Sequence, residues 1–298
     1  MYKKIFYVLI RHSAFTKLVF LLYYSHVIKA TVAALSLKNE LKTTWFEEEP
    51  NQDMQASSSA IARLEENVAF VPDYNPALKI MFLGDSITHG VRGIGDWDSG
   101  GYRTKLWQKF ESDALQVKFV GSMSSGPECL GDKTHEGHPS WTIKQISAQI
   151  DEWLNAYQPD LILLMIGTND TRKSSLKTMI EDLSILIDQI TTCTPNTELL
   201  IASIPPVHPA AKPMIRGIRA LYFNAAIPSI VNTKRIQGKK VHFVNMQNLT
   251  INDLTASQSV ELDRGLHPNT EGYRKIANYW HDAIFKLISK HVVSMSTQ

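Results

Sequence analysis

From residue 78 onward, short apolar runs alternate with amphipathic stretches. The runs are Leu78–Leu83, Val117–Val120, Leu161–Ile166, Leu199–Ile204 and Val241–Val244. Each is too short for a buried helix, and apart from Lys79 and Lys118 none is interrupted by a charge. Gly84, Gly167 and Pro205 follow three of them directly. This is the pattern of strands buried on both faces, as in a parallel sheet. Between the runs, apolar residues recur at helical spacing. Ile143, Ile146, Ile150, Trp153 and Leu154 mark one helix over 143–156, and Met179, Ile180, Leu183, Leu186, Ile187 and Ile190 mark another over 176–190. Further helices are expected over 102–112, 214–230 and 271–288. Strands separated by helices predict an α/β fold: a three-layer α/β/α sandwich around a five-stranded parallel sheet.

The alternation places one domain at 75–291 and a short tail at 292–298. Upstream, residues 35–74 read as a polar linker, with Glu47, Glu48 and Glu49, Ser57, Ser58 and Ser59, and one weak helix near Ala60–Glu66. Residues 1–34 combine a basic start at Lys3 and Lys4, apolar runs at 5–10 and 18–24, and small residues at Ala30, Ala33 and Ala34. Neither run reaches the ~20 apolar residues of a spanning helix. The segment reads as a secretory signal, with a cleavage region at 31–34. A retained signal anchor and an upstream start codon are the alternatives. Secretion is therefore the expected localisation, and Asn248-Leu249-Thr250 is a glycosylation sequon on that route.

Composition adds exclusions. The 298 residues carry a net charge of +2 and no long basic run, which gives nucleic acid no footing as a partner. Two cysteines, Cys129 and Cys193, fall at opposite ends of the expected sheet and are read as unpaired. No GxGxxG or P-loop pattern follows a strand, so no nucleotide cofactor is expected. The chain is read as a monomer.

Reactive residue types sit in three loops, all after strands. Ser86 follows the first strand, Asn169 the third, and His267 the fifth. In an open parallel sheet these loops share the carboxyl edge, where ligands bind. A serine hydroxyl becomes nucleophilic when an imidazole takes its proton. The resulting oxyanion needs preoriented donors, such as the Ser86 N–H and an asparagine amide. Each residue also has a plainer reading: Ser86 as a helix cap, Asn169 as a turn residue, His267 as a surface histidine. His135 and His138, in His135-Glu136-Gly137-His138, raise metal binding. Their spacing departs from HExxH and no further ligand cluster accompanies them, so no metal is expected.

Gly84-Asp85-Ser86, Gly167-Thr168-Asn169-Asp170 and His267-Pro268-Asn269 resemble the motifs of the SGNH (GDSL) hydrolases. The stretch from Phe119-Val120-Gly121-Ser122 to His138-Pro139-Ser140-Trp141 is similar to carbohydrate esterase family 3, which contains acetyl xylan esterases. The resemblance implies the flavodoxin-like SGNH fold. It makes Ser86 the nucleophile and an oxyanion donor, Asn169 a second donor and His267 the base. Two positions depart from the family. Ser140 stands where a glycine usually supplies an oxyanion N–H. Arg264 stands three residues before the histidine, the place of the acidic triad member, and Asp263 is the candidate to replace it. The expected substrate is an acetylated polysaccharide or another small ester, with Trp97, Tyr102 and Trp141 as rings that could stack on sugars. Alternatives are a lysophospholipase or broad short-chain esterase, acting at a membrane if the N-terminal segment is retained, and a carbohydrate-binding protein with impaired catalysis.

Overall fold

The computed structural model describes residues 77–296, apart from residues 94, 210, 212 and 256–264. The expected signal segment, linker and helix near Ala60–Glu66 lie outside the described residues. Strands are β1 (Leu78–Gly84), β2 (Val117–Val120), β3 (Met123–Ser124), β4 (Thr134–Gly137), β5 (Leu161–Met165), β6 (Glu198–Ala202) and β7 (Val241–Val244). Helices are α1 (Ser86–His89), α2 (Gly101–Ser112), α3 (Ile143–Ser147), α4 (Ile150–Tyr157), α5 (Asp170–Lys173), α6 (Leu176–Cys193), α7 (Ile215–Ile236) and α8 (Thr270–Ser296).

All five apolar runs form parallel strands, in the order β2-β1-β5-β6-β7. This is the flavodoxin-like order, which reverses direction between β1 and β5. The sheet nevertheless has seven strands, which corrects the expected five. The additional β4 pairs with the last two residues of β1, Leu83 with Glu136 and Gly84 with Gly137, and β3 pairs antiparallel to β4. Hydropathy could not mark β4. Its sequence is Thr-His-Glu-Gly, and it is held by backbone pairing and by the hydrogen bonds of its buried polar side chains.

β1 is the axis of the packing, because its side chains alternate between two buried layers. Met81 and Leu83 join a core built with Ile143, Ile146, Leu183, Leu186, Phe223 and Ile227, from α3, α6 and α7. On the opposite face Phe82 meets Phe119 at 4.5 Å and Tyr102 at 5.9 Å, and Tyr102 meets Trp280 of α8 at 6.4 Å. Burying each such side chain is worth about 1.5–3 kcal/mol. That premium on both faces keeps charge out of the middle of the run. Lys79, near its start, reaches the Tyr157 carbonyl with its ammonium at 3.3 Å.

Three helical expectations change, the simplest being α8, which continues past its expected end at 288 to Ser296 and so takes up most of the expected tail at 292–298. The helix expected over 143–156 is divided into α3 and α4, although apolar spacing runs through the division: Ile146 and Ile150 are both fully buried. No residue in Ser147-Ala148-Gln149 forces a break, so periodicity alone cannot see it. α7 extends past the expected end at Ile230 and contains Pro228, which removes one backbone donor without ending the helix. Cys193 closes α6, Cys129 lies in the loop between β3 and β4, and both thiols are free.

Candidate active site

The site forms where β1 and β5 end side by side. A Cβ on Gly84 would stand 2.3 Å from the Met165 carbonyl oxygen, so only glycine lets the two strands finish this close. Asp85 follows and caps α1, its Oδ1 accepting from the Ile87 N–H at 2.9 Å. Burial pushes its carboxyl up to about 7; the Ile87 bond pulls it partly back, and the charge of Asp170 adds to the rise. Asp170 is itself raised to about 6 by burial.

Ser86 opens α1 with its hydroxyl 2.9 Å from His267 Nε2, across 181 positions of sequence. The histidine is held by the backbone around it. Its carbonyl accepts from the Thr255 N–H at 2.8 Å, and Asn269 donates its N–H to the Asp253 carbonyl at 2.8 Å. Gly265, two residues earlier, has φ +67° and accepts from the His208 N–H at 3.0 Å. A Cβ there would lie 2.1 Å from His208 Cβ. Asp263, the candidate acidic partner, lies outside the described residues, as does Arg264.

Asn169 sits beside this pair, at the end of β5. Its Nδ2 donates to the Trp141 carbonyl at 3.0 Å, while its distance to Asp85 Oδ2 is 3.5 Å, the outer limit of a hydrogen bond. Two further bonds join the same loops: the Ile143 N–H donates to Asp170 Oδ2 at 3.2 Å, and Lys173 donates to the Ser140 carbonyl at 3.0 Å. From below, the buried Arg216 donates to the Thr168 carbonyl at 3.2 Å and to Thr171 Oγ1 at 3.1 Å, so it grips both sides of Asn169. Nothing in the hydropathy pattern marks Arg216, since a lone arginine on a helix ordinarily faces solvent.

Ser140 is exposed at the rim with φ +67°. Trp141 donates its N–H to the His138 carbonyl at 3.2 Å, which makes His138-Pro139-Ser140-Trp141 a turn with proline second and a left-handed residue third. Glycine is favoured at that third position. The backbone N–H survives in serine, and the cost of the side chain is backbone strain. Ser140→Gly is expected to raise stability by about 0.5–1 kcal/mol, or ~1–4 °C in Tm. Thermal unfolding followed by fluorescence checks this, and an unchanged or lower midpoint would show that the turn carries no such strain.

The histidines raised for metal binding have other partners. Buried Glu136 accepts from the Ser122 N–H and hydroxyl, both at 2.6 Å, and meets His138 Nε2 at 2.6 Å. His138 lies stacked between Trp141 and Trp153, with centroids at 4.3 and 4.8 Å. The Glu136–His138 pair thus buttresses the residue whose carbonyl orients Asn169. His135 accepts from the Gly137 N–H and donates to Ser125 Oγ, and burial depresses its pKa to about 2. Among the described residues, no group of three or more His, Cys, Asp or Glu is arranged to hold a metal ion. Of the three rings considered for sugar stacking, Tyr102 is fully buried, Trp141 packs in the His138 stack, and Trp97 is 53% exposed.

A hydroxyl within proton-transfer reach of an imidazole, beside an oriented amide donor, is an arrangement suited to acyl transfer. Comparison with known proteins points the same way. The sequence profile of the GDSL-like lipase/acylhydrolase family matches residues 82–275. The structure of a Clostridium thermocellum family 3 carbohydrate esterase is similar at a TM-score of 0.60 and 39% identity, covering 72% of this chain and 98% of that one. A carbohydrate esterase family 3 structure from Talaromyces cellulolyticus is similar at a TM-score of 0.59 and 26% identity, covering 72% and 99%. A multidomain esterase of Ruminococcus flavefaciens is 27% identical over 230 residues, 70% of this chain and 28% of that protein. A protein of Acetivibrio thermocellus that carries the name endoglucanase X is 39% identical over 140 residues, 47% of this chain. The chain spans 56% of the latter relative's length and 28% of the former's.

Proposed function

The chain belongs to the GDSL-like lipase/acylhydrolase family, and from that premise we propose that it is a serine esterase removing acetyl groups from carbohydrate, acetylated xylan among them. The observation that carries the proposal is the 2.9 Å approach of Ser86 Oγ to His267 Nε2 beside the Asn169 amide. Ser86 Oγ attacks the ester carbonyl and gives its proton to His267. The oxyanion is met by the Ser86 and Ser140 N–H groups and by Asn169 Nδ2. One hydrogen of that amide is held by Trp141, and the other makes only the long approach to Asp85, so it can turn to the oxyanion at little cost. His267 then protonates the departing sugar hydroxyl. Water, activated by the same imidazole, releases acetate from Ser86. Asp263 is proposed to orient the imidazole, and the full chain is proposed to act outside the cell.

A second reading, lysophospholipid as substrate, draws on Met214, Ile218, Leu221 and Tyr222. These residues are exposed at the start of α7, after the carboxyl end of β6. The two readings are separated by assaying the full chain on acetylated xylan, on lysophosphatidylcholine and on aryl esters of rising acyl length. The carbohydrate reading expects acetate release from xylan and a preference of about tenfold or more for acetyl over octanoyl esters. Fatty-acid release with silence on xylan would replace it by the second.

A further inference from the structure

A cleft of about 500 Å³ is lined by Pro127 and by Arg92, Asp96, Trp97, Asp98 and Ser99 of the loop that follows α1. Its loop is tied to both halves of the catalytic pair. Val91 donates its N–H to the Ser86 carbonyl at 3.0 Å, and Ser99 donates its hydroxyl to the carbonyl of Gly90, which caps α1. At the other side Arg92 donates to Thr270 Oγ1 at 2.9 Å, three residues after His267. The loop is also fixed internally. Arg92 pairs with Asp96 Oδ2 at 2.6 Å, Gly93 and Asp96 form a backbone bridge, and the Gly126 N–H donates to Asp98 Oδ1 at 3.1 Å.

These bonds engage one oxygen of each aspartate. Among the described residues, no hydrogen bond engages Asp96 Oδ1 or Asp98 Oδ2. A lone exposed tryptophan is ordinary on a protein surface. Here the indole lines one cleft with two carboxylates that have acceptor oxygens to spare, on a braced loop bonded to the Ser86 carbonyl. A cleft that combines an exposed aromatic ring with carboxylate acceptors matches a neutral pyranose, whose C–H face stacks on a ring while its hydroxyls donate at the edge. With Arg92 already paired to Asp96, the remaining charge is negative, which disfavours uronic acids and anionic headgroups.

Resting on the carbohydrate reading above, we propose that Trp97, Asp96 and Asp98 form a subsite for an uncharged sugar ring adjoining the acetylated one. The site then selects neutral, xylan-like chains over uronate-bearing ones. The test uses the full chain and its Trp97→Ala and Trp97→Phe variants. Two quantities are read: kcat and KM on acetylated xylo-oligosaccharides, and binding of unesterified xylohexaose by calorimetry. Trp97→Ala is expected to raise KM and weaken xylohexaose binding by roughly three- to tenfold, leaving kcat within about twofold, and Trp97→Phe should recover most of the loss. Xylohexaose bound through Trp97 by a protein that does not deacetylate the oligosaccharide would keep the subsite and discard the esterase reading. Deacetylation with KM and binding unmoved in Trp97→Ala would keep the esterase and overturn the subsite. Tighter binding of a uronate-substituted xylo-oligosaccharide than of xylohexaose would overturn the selectivity.

Discussion

Ser86→Ala is expected to abolish esterase turnover, lowering kcat by about 10⁴- to 10⁶-fold, the range seen when a serine–histidine unit loses its nucleophile. The loss should be chemical. Ser86 Oγ makes its hydrogen bond to His267, while the helix it opens is capped by Asp85, so α1 keeps its cap without the hydroxyl. One neutral hydrogen bond at a half-buried position contributes about 0.5–1.5 kcal/mol, so Tm should move by only a few degrees. His267→Ala should reach a similar floor, and the double variant should fall no further, because nucleophile and base act as a unit. Initial rates of acetate release, with enzyme concentrations raised to reach the floor, measure all three. A Ser86→Ala protein retaining turnover within tenfold of the parent would remove Ser86 as nucleophile. A double variant much slower than either single one would mean that the two residues act in separate steps.

The reach of the sequence differs between the parts of this site, and the differences have physical causes. Ser86, Asn169 and His267 each follow a strand that hydropathy marks clearly, and a parallel sheet sends such loops to one edge whatever their separation in the chain. The 2.9 Å contact across 181 residues follows from that topology. β4 was invisible because its side chains are polar and its stability lies in pairing with β1 and in the Glu136–Ser122 and Glu136–His138 bonds. The same stretch raises a metal motif for the same reason: buried histidines and a carboxylate read alike whether they hold an ion or one another. Arg103 and Arg216 escaped because charge on a helix is expected to face water. Both are buried, and their guanidinium groups are satisfied by carbonyl and hydroxyl oxygens. Arg103 donates to the carbonyls of Thr88 and His89, so it braces the end of α1 as Arg216 braces the Asn169 loop. Ser140 was legible as a departure from glycine. Only the backbone revealed that the departure falls at a left-handed position.

Asn169→Ala tests the oxyanion assignment most sharply, because the residue has two roles that kinetics can separate. As a donor to the developing negative charge it acts in the transition state, and its removal is expected to lower kcat by about 10²- to 10³-fold with KM little changed. As a structural residue its Nδ2 holds the Trp141 carbonyl at 3.0 Å, and losing that bond is expected to cost about 1 kcal/mol of stability. Were the residue only structural, disorder of the Trp141 turn would misplace the substrate, so KM would rise and thermal stability would fall together. Asn169→Asp sharpens the contrast. It keeps the shape but replaces the donor by an acceptor, facing the Trp141 carbonyl and buried Asp85, whose carboxyl is already raised to about 7. The aspartate variant is therefore expected to be as slow as alanine or slower, with more of its loss above pH 7, where repulsion between two ionised carboxyls is greatest. A steady-state pH profile of the two variants, alongside their thermal midpoints, decides between the roles. Near-parental kcat in Asn169→Ala would leave the oxyanion to the Ser86 and Ser140 N–H groups.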